Sequence, residues 1–118
     1  MFALYWTKDL FFSSRVTATA RAVGGEVRVV SSRDDLLQQA ADDNCSLVLL
    51  DLDTPGVDPA AVMAGLHEQG LVLPVIAFGS HVHESRLEAA QQAGCDRVLA
   101  RGQFDRQMQE ILRTHLSS

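Results

Sequence analysis

The chain has 118 residues, which is enough for a single domain, spanning residues 1–118, with a core of its own. Hydrophobic residues make up 47% of the chain and charged residues 21%, a composition that excludes a disordered protein. The net charge is -5 and no basic stripe is present, which argues against a nucleic-acid-binding surface. The apolar runs are too short to cross a membrane and no export signal is visible, so we expect a cytoplasmic protein.

Short apolar runs alternate with amphipathic stretches along the whole chain, which predicts strands alternating with helices. The run at 47–50 is apolar without alternation, as is typical of a strand covered on both faces. Five such units predict a parallel sheet with helices on both faces. The last two helices are predicted over about 84–93 and 103–116. The predicted strands are Phe2–Trp6, Glu26–Val30, 47–50, 75–78 and Arg97–Ala100.

Helix boundaries are marked by capping residues and glycines. Ser32 and Asp35 have the spacing of a capping box at the start of the second helix. Asp58 precedes a proline and has the character of an N-cap for the third helix. Gly70 and Gly94 are predicted to end the third and fourth helices. In sheets of this kind, function is concentrated at the carboxyl ends of the strands.

Two stretches of sequence carry a resemblance to a known family. Residues 47–58 read LVLLDLDTPGVD, in which a buried strand delivers Asp51 to its exposed end and a proline-glycine turn follows. Residues 88–101 read EAAQQAGCDRVLAR, a helix, a turn and a strand. In this order within five strand-helix units, they resemble the receiver domains of response regulators in two-component signalling. The resemblance covers essentially the whole chain.

The resemblance implies a flavodoxin-like, doubly wound, five-stranded parallel sheet with strand order 2-1-3-4-5 and five helices on both faces. It makes Asp51 the candidate phosphoacceptor. It further implies a divalent cation held by an acidic pair after the first strand, by Asp51 and by the main-chain carbonyl of Asp53. A hydroxyl residue after the fourth strand and a lysine after the fifth would contact the phosphoryl oxygens.

The chain departs from this family pattern at most of the supporting positions. Thr7 and Lys8 stand where the acidic pair belongs, and Asp9 is the only carboxylate beside them. Gly79 stands at the hydroxyl position, with a serine one step later, and Arg101 replaces the lysine. The residues expected to line the site are Thr7, Lys8, Asp9, Asp53, Gly79, Ser80 and Arg101.

Lys8 and Asp51 each allow two interpretations. Lys8 is either a solvated surface residue or an internal counter-ion whose ammonium pairs with Asp51 in place of a metal. We expect the pair, because the first and third strands are neighbours and the lysine stem is long. Asp51 either caps the loop that follows its strand or accepts a phosphoryl group.

A metal site of normal affinity is not expected. If a cation binds, its ligands would be Asp9, Asp51 and the main-chain carbonyl of Asp53. Magnesium requires near-octahedral oxygen ligation, and a lysine at the acidic pair opposes it. We therefore expect no cofactor, with magnesium binding weak or absent. His81 and His83 have no third ligand at a clear spacing, so we expect them to be solvated loop residues.

These features favour a non-enzymatic, atypical receiver domain, or pseudo-receiver, that signals by protein-protein contact with little or no metal-dependent phosphorylation. Two alternatives stay open: a working receiver that a histidine kinase phosphorylates on Asp51, and a flavodoxin-like domain that binds a small molecule. The expected partner is a histidine kinase, a phosphotransfer protein or a downstream effector. A homodimer would form through the fourth helix, the fifth strand and the fifth helix. Neither nucleic acid nor membrane is expected to bind this domain.

Overall fold

The computed structural model describes residues 1–117, in which five strands alternate with five helices. None of the helices in this range is both long and apolar enough to span a bilayer. The strands are β1 (Phe2–Trp6), β2 (Glu26–Val30), β3 (Cys45–Asp51), β4 (Val75–Gly79) and β5 (Arg97–Ala100). The helices are α1 (Leu10–Ala22), α2 (Arg33–Ala40), α3 (Pro59–Glu68), α4 (Glu84–Gln92) and α5 (Arg101–Leu116).

The strands form one parallel sheet in the order β2-β1-β3-β4-β5. β1 lies between β2 and β3, with Tyr5 opposite Val29 on one side and Leu49 on the other. β3 in turn pairs with β4, and Asp51 at its end lies opposite Phe78. This is the predicted flavodoxin-like, doubly wound arrangement. It places the carboxyl ends of β1, β3 and β4 side by side.

A separate apolar layer covers each face of the sheet. On one face α1 and α5 pack around an aromatic group in which Phe78 and Phe104 stack at 4.1 Å and Phe12 approaches both rings. On the other face α2, α3 and α4 pack through residues such as Leu36 and Val62. β3 contributes to both layers, so the prediction of a strand buried on both faces is confirmed.

The predicted caps of α2 and α3 are present, but α5 begins earlier than the sequence indicates. The amide of Asp35 donates to the Ser32 hydroxyl at 3.1 Å, and Asp58 accepts from the third residue of α3. α5 begins at Arg101 instead of Gln103, because the Gln103 side chain folds back and accepts a 2.9 Å bond from the Ala100 amide. A side chain that reaches back in this way belongs to the third position of a helix.

Candidate functional site

Asp51 is the last residue of β3 and emerges at the centre of the carboxyl edge of the sheet. Its neighbours on either side are the ends of β1 and β4, so little solvent reaches it. Only 2% of the residue is exposed. A charge buried to this degree requires donors to compensate for the lost water.

Three donors surround the Asp51 carboxylate. One oxygen accepts from the Thr7 hydroxyl at 2.7 Å and from the Thr54 hydroxyl at 2.9 Å. The other oxygen accepts from the Asp53 amide at 3.0 Å. A carboxylate has roughly four acceptor positions, and these contacts fill most of them. Asp51 therefore caps the β3–α3 loop, the structural role that the sequence left open.

The two threonine hydroxyls are held in a fixed donor orientation. The Asp9 amide donates to the Thr7 oxygen at 3.0 Å, and the Lys8 amide donates to the Thr54 oxygen at 3.0 Å. Because a hydroxyl has a single hydrogen, an oxygen that accepts from an amide has its own proton free for another acceptor. Both protons are directed to Asp51, so the network joins the β1–α1 loop to the β3–α3 loop.

Lys8 does not take part in this site through its side chain. The side chain is exposed, and within residues 1–117 it forms no ion pair. The predicted ion pair between Lys8 and Asp51 is therefore wrong. Successive side chains of an extended segment point to opposite sides, so when Thr7 faces Asp51 the next side chain faces solvent. Only the backbone of Lys8 contributes, through its amide.

Asp9 and Arg101 are bonded to each other. Asp9 is the N-cap of α1, where one oxygen accepts a 2.9 Å bond from the Phe12 amide while the other accepts from the Arg101 guanidinium. That guanidinium also lies 4.4 Å from the centre of the Phe12 ring. The Phe12 amide, and after it Arg101, holds the pKa of Asp9 below its usual value. Asp9 is thus a helix cap and not half of an acidic pair.

Asp53 faces the β4–α4 segment. Its carboxylate accepts from the Ser80 amide at 2.8 Å, lies 2.9 Å from Nδ1 of His83, and accepts from Arg86 at 3.2 Å. His83 lies in the loop before α4 as expected, with 43% of its side chain exposed, but its ring also contacts Asp53. His81 is exposed as expected. Neither His83 nor Arg86 was recognised as a site residue from sequence. The only signal was the presence of a histidine and an arginine, both able to donate to a carboxylate, at the start of α4.

Gly79 has no side chain, and the Asp53 carboxylate and Leu52 lie close to its Cα atom. A Cβ atom at this position would lie 3.1 Å from Cβ of Leu52 and 3.4 Å from a carboxylate oxygen of Asp53. A hydroxyl residue here would therefore press on the β3–α3 loop. Ser80, the next residue, contributes its amide to Asp53.

The donor set does not fit a magnesium ion. Within residues 1–117 no three carboxylate, imidazole or thiol side chains converge as metal ligands would. The oxygens of Asp51 face hydrogen-bond donors, Asp9 is engaged by Arg101, and the carboxylate of Asp53 is engaged by β4–α4. Magnesium requires oxygen lone pairs directed at one point, and here hydroxyl protons occupy that space.

A sequence model of the response regulator receiver domain matches residues 11–113 of the chain. The chain belongs to this family. The comparison with curated proteins found no match to this chain. The family assignment thus confirms the resemblance drawn from the two motifs.

Solved structures with the same fold include typical and atypical receivers. The receiver domain of the sensor histidine kinase PA1611 from Pseudomonas aeruginosa, solved with a magnesium ion in its active-site cleft, has a TM-score of 0.77 and 22% identity, covering 97% of this chain and 95% of that one. The receiver domain of the putative response regulator NarL from Mycobacterium tuberculosis has a TM-score of 0.72 and 19% identity, with 94% and 91% covered. An atypical orphan response regulator, described as having a phosphorylation-independent regulatory mechanism, has a TM-score of 0.72 and 15% identity, with 100% of both chains covered. At these identities the similarity shows the fold alone.

Proposed function

We propose that this receiver domain signals by protein-protein contact, without metal-dependent phosphorylation of Asp51 and without a catalytic activity of its own. The observation that carries the proposal is the set of three hydrogen bonds that Asp51 accepts from Thr7, Thr54 and the Asp53 amide. These bonds satisfy the carboxylate inside the protein, with donors supplied by the chain itself.

Phosphoryl transfer to a carboxylate requires a free lone pair and positive charge beside the incoming phosphoryl group. Here the hydroxyls of Thr7 and Thr54 occupy one oxygen of Asp51 and the Asp53 amide bonds the other, so an incoming phosphoryl group competes with these donors. Arg101, which stands at the position of the family's lysine, is engaged by Asp9 and by the Phe12 ring. Each of these arrangements raises the barrier to phosphorylation.

The proposed partner is a protein: a histidine kinase, a phosphotransfer protein or a downstream effector. We place the contact on α4, β5 and α5, because β5 is an edge strand whose outer side is unpaired within residues 1–117. Arg97 is exposed on this strand and Val98 is half-buried, which leaves a mixed polar and apolar surface. A homodimer through the same surface is one form that the contact could take.

A second candidate function is a working phosphoacceptor receiver. Two observations favour it: Asp51 occupies the end of β3, where the family carries its acceptor, and the fold matches a receiver solved with magnesium in its cleft. Under this alternative the threonine network opens when metal and donor bind.

The experiment that separates the two is incubation with acetyl phosphate and magnesium, followed by intact mass. The unmodified chain and Asp51→Ala are compared. We expect no phosphoryl adduct on either protein. An adduct on the unmodified chain that is lost in Asp51→Ala would overturn the proposal and establish the phosphoacceptor function.

A further inference from the structure

The contacts of the Asp53 side chain connect two loops that have no other ion pair between them within residues 1–117. Asp53 lies in the β3–α3 loop, and each of its side-chain partners lies in the β4–α4 loop or the first turn of α4. We name Asp53, Ser80, His83 and Arg86 the Asp53 cluster. Its bonds measure 2.8 Å to the Ser80 amide, 2.9 Å to His83 and 3.2 Å to Arg86.

The start of α4 depends on this cluster for its side-chain anchoring. His83 is the N-cap residue of α4, yet its side chain makes no capping bond to the helix. The imidazole lies against Asp53 instead, and Arg86 in the first turn of α4 contacts the same oxygen. The first turn of α4 is therefore tied to the β3–α3 loop through one carboxylate.

We propose that Asp53 is a positioning residue whose carboxylate is a built-in anion that holds residues 80–83 and the start of α4 in one arrangement. The arrangement needs neither a phosphoryl group nor a metal. Gly79 favours this arrangement, because a Cβ there would lie 3.1 Å from Cβ of Leu52, closer than an ordinary contact, and 3.4 Å from the Asp53 carboxylate. This inference goes beyond the proposed function, since no bond of the Asp53 side chain involves Asp51.

The charge balance of the cluster supports this role. Partial burial acts to raise the pKa of Asp53, but the bonds from His83, the Ser80 amide and Arg86 outweigh it and hold the pKa below its usual value. The carboxylate is thus charged at neutral pH. Asp53, Asp58 and Arg86 also line one cavity of about 340 Å³.

Amide hydrogen exchange on the full chain, without magnesium or phosphodonor, tests the proposal. In Asp53→Ala we expect exchange at residues 80–83 to accelerate by about 10- to 100-fold, as for loss of charge-assisted hydrogen bonds. Amides of β1 and β3 should keep their protection. The matched control is Asp105→Ala, which removes an exposed carboxylate paired with Arg15 and should leave residues 80–83 unchanged. Unchanged exchange at 80–83 in Asp53→Ala would overturn the proposal.

Arg86→Gln gives a second, milder test, because Arg86 is on the surface and its loss does not threaten the fold. We expect faster exchange at residues 80–83 and, by NMR titration, a higher pKa of Asp53. If both quantities stay at their original values, or if the core exchanges faster to the same extent, the positioning role is contradicted. The intact-mass experiment tests only the phosphorylation of Asp51, and the exchange experiments test only the role of Asp53. Failure of one proposal can therefore be distinguished from failure of the other.

Discussion

The hydroxyl of Thr7 donates a 2.7 Å hydrogen bond to the carboxylate of Asp51 and so joins the ends of β1 and β3. Thr7 occupies a position where the receiver pattern has an acidic residue. In place of a second negative charge, the chain supplies a hydrogen-bond donor to Asp51. This exchange turns a site that attracts cations into a closed hydrogen-bond network.

Replacing Thr7 by valine should destabilise the domain by about 1–3 kcal/mol, because the change keeps the shape but removes a donor from a buried carboxylate. It also leaves the Asp9 amide without its acceptor. The control is Thr19→Val, since the Thr19 hydroxyl bonds only to a carbonyl of its own helix. Urea denaturation of the three proteins measures the difference. Equal losses in both variants would contradict the network.

The bond between Asp9 and Arg101 should give stability that depends on pH. Asp9→Asn keeps a good N-cap but removes the ion pair, so we expect a loss of about 0.5–1 kcal/mol at pH 7. The Phe12 amide and, after it, Arg101 hold the folded pKa of Asp9 below its ordinary value of 3.8, so the contribution of the charged carboxylate to both bonds is present above about pH 4 and disappears as the pH falls through the folded pKa. Asp9→Ala should cost about 1 kcal/mol more through the lost cap.

Denaturation of the Asp9 variants at several pH values checks this prediction. The gap between the unmodified chain and Asp9→Asn should narrow towards zero in acid, while the extra loss in Asp9→Ala persists. A gap that is independent of pH would show that the ion pair contributes nothing.

Gly79→Ser should destabilise the domain by about 1–2 kcal/mol, although it restores the hydroxyl typical of the family. The new Cβ would lie 3.1 Å from Cβ of Leu52, closer than an ordinary contact, and 3.4 Å from the Asp53 carboxylate, and the added hydroxyl needs further space. The matched control is Gly102→Ala in α5, where the nearest atom is the flexible end of Arg106 at 3.5 Å. That change should stabilise the domain by about 0.5–1 kcal/mol. Melting curves for both variants test the contrast.

An aspartate introduced at Thr7 (Thr7→Asp) should destabilise the domain far more than one introduced at Lys8. A carboxylate at position 7 adjoins Asp51, so we expect a loss of more than about 2 kcal/mol without metal, because two buried like charges repel. Lys8→Asp should have little effect, because the Lys8 side chain is exposed. Equilibrium unfolding of both variants gives the comparison. A large loss of stability in Lys8→Asp would instead support the interpretation of Lys8 as an internal counter-ion of Asp51.

The alternation of five strands with five helices and the buried third strand could be predicted from patterns that repeat along the chain, whereas the strand order came from the receiver resemblance. Apolar runs of strand length and capping residues such as Asp58 each report a local preference. Those preferences agree with the sheet that the receiver resemblance implies. The position of Asp51 at the end of β3 follows from the same pattern.

The partners of the site residues could not be predicted in the same way. Whether Thr7 or Lys8 faces Asp51 depends on which of these two successive side chains after β1 points towards β3, and the sequence does not mark that choice. The contacts of Asp53 with His83 and Arg86 join residues about 30 positions apart, through a space that exists because Gly79 has no side chain. Contacts of this kind appear only when the loops are placed in three dimensions.

The central claim is that the chain's own donors satisfy Asp51 and leave no magnesium site. Thermal melting of the unmodified chain and of Asp51→Ala, each with and without millimolar magnesium, tests it most directly. We predict the same melting temperature for the unmodified chain in both conditions. A rise in melting temperature with magnesium that disappears in Asp51→Ala would contradict the account and show a working metal site at Asp51.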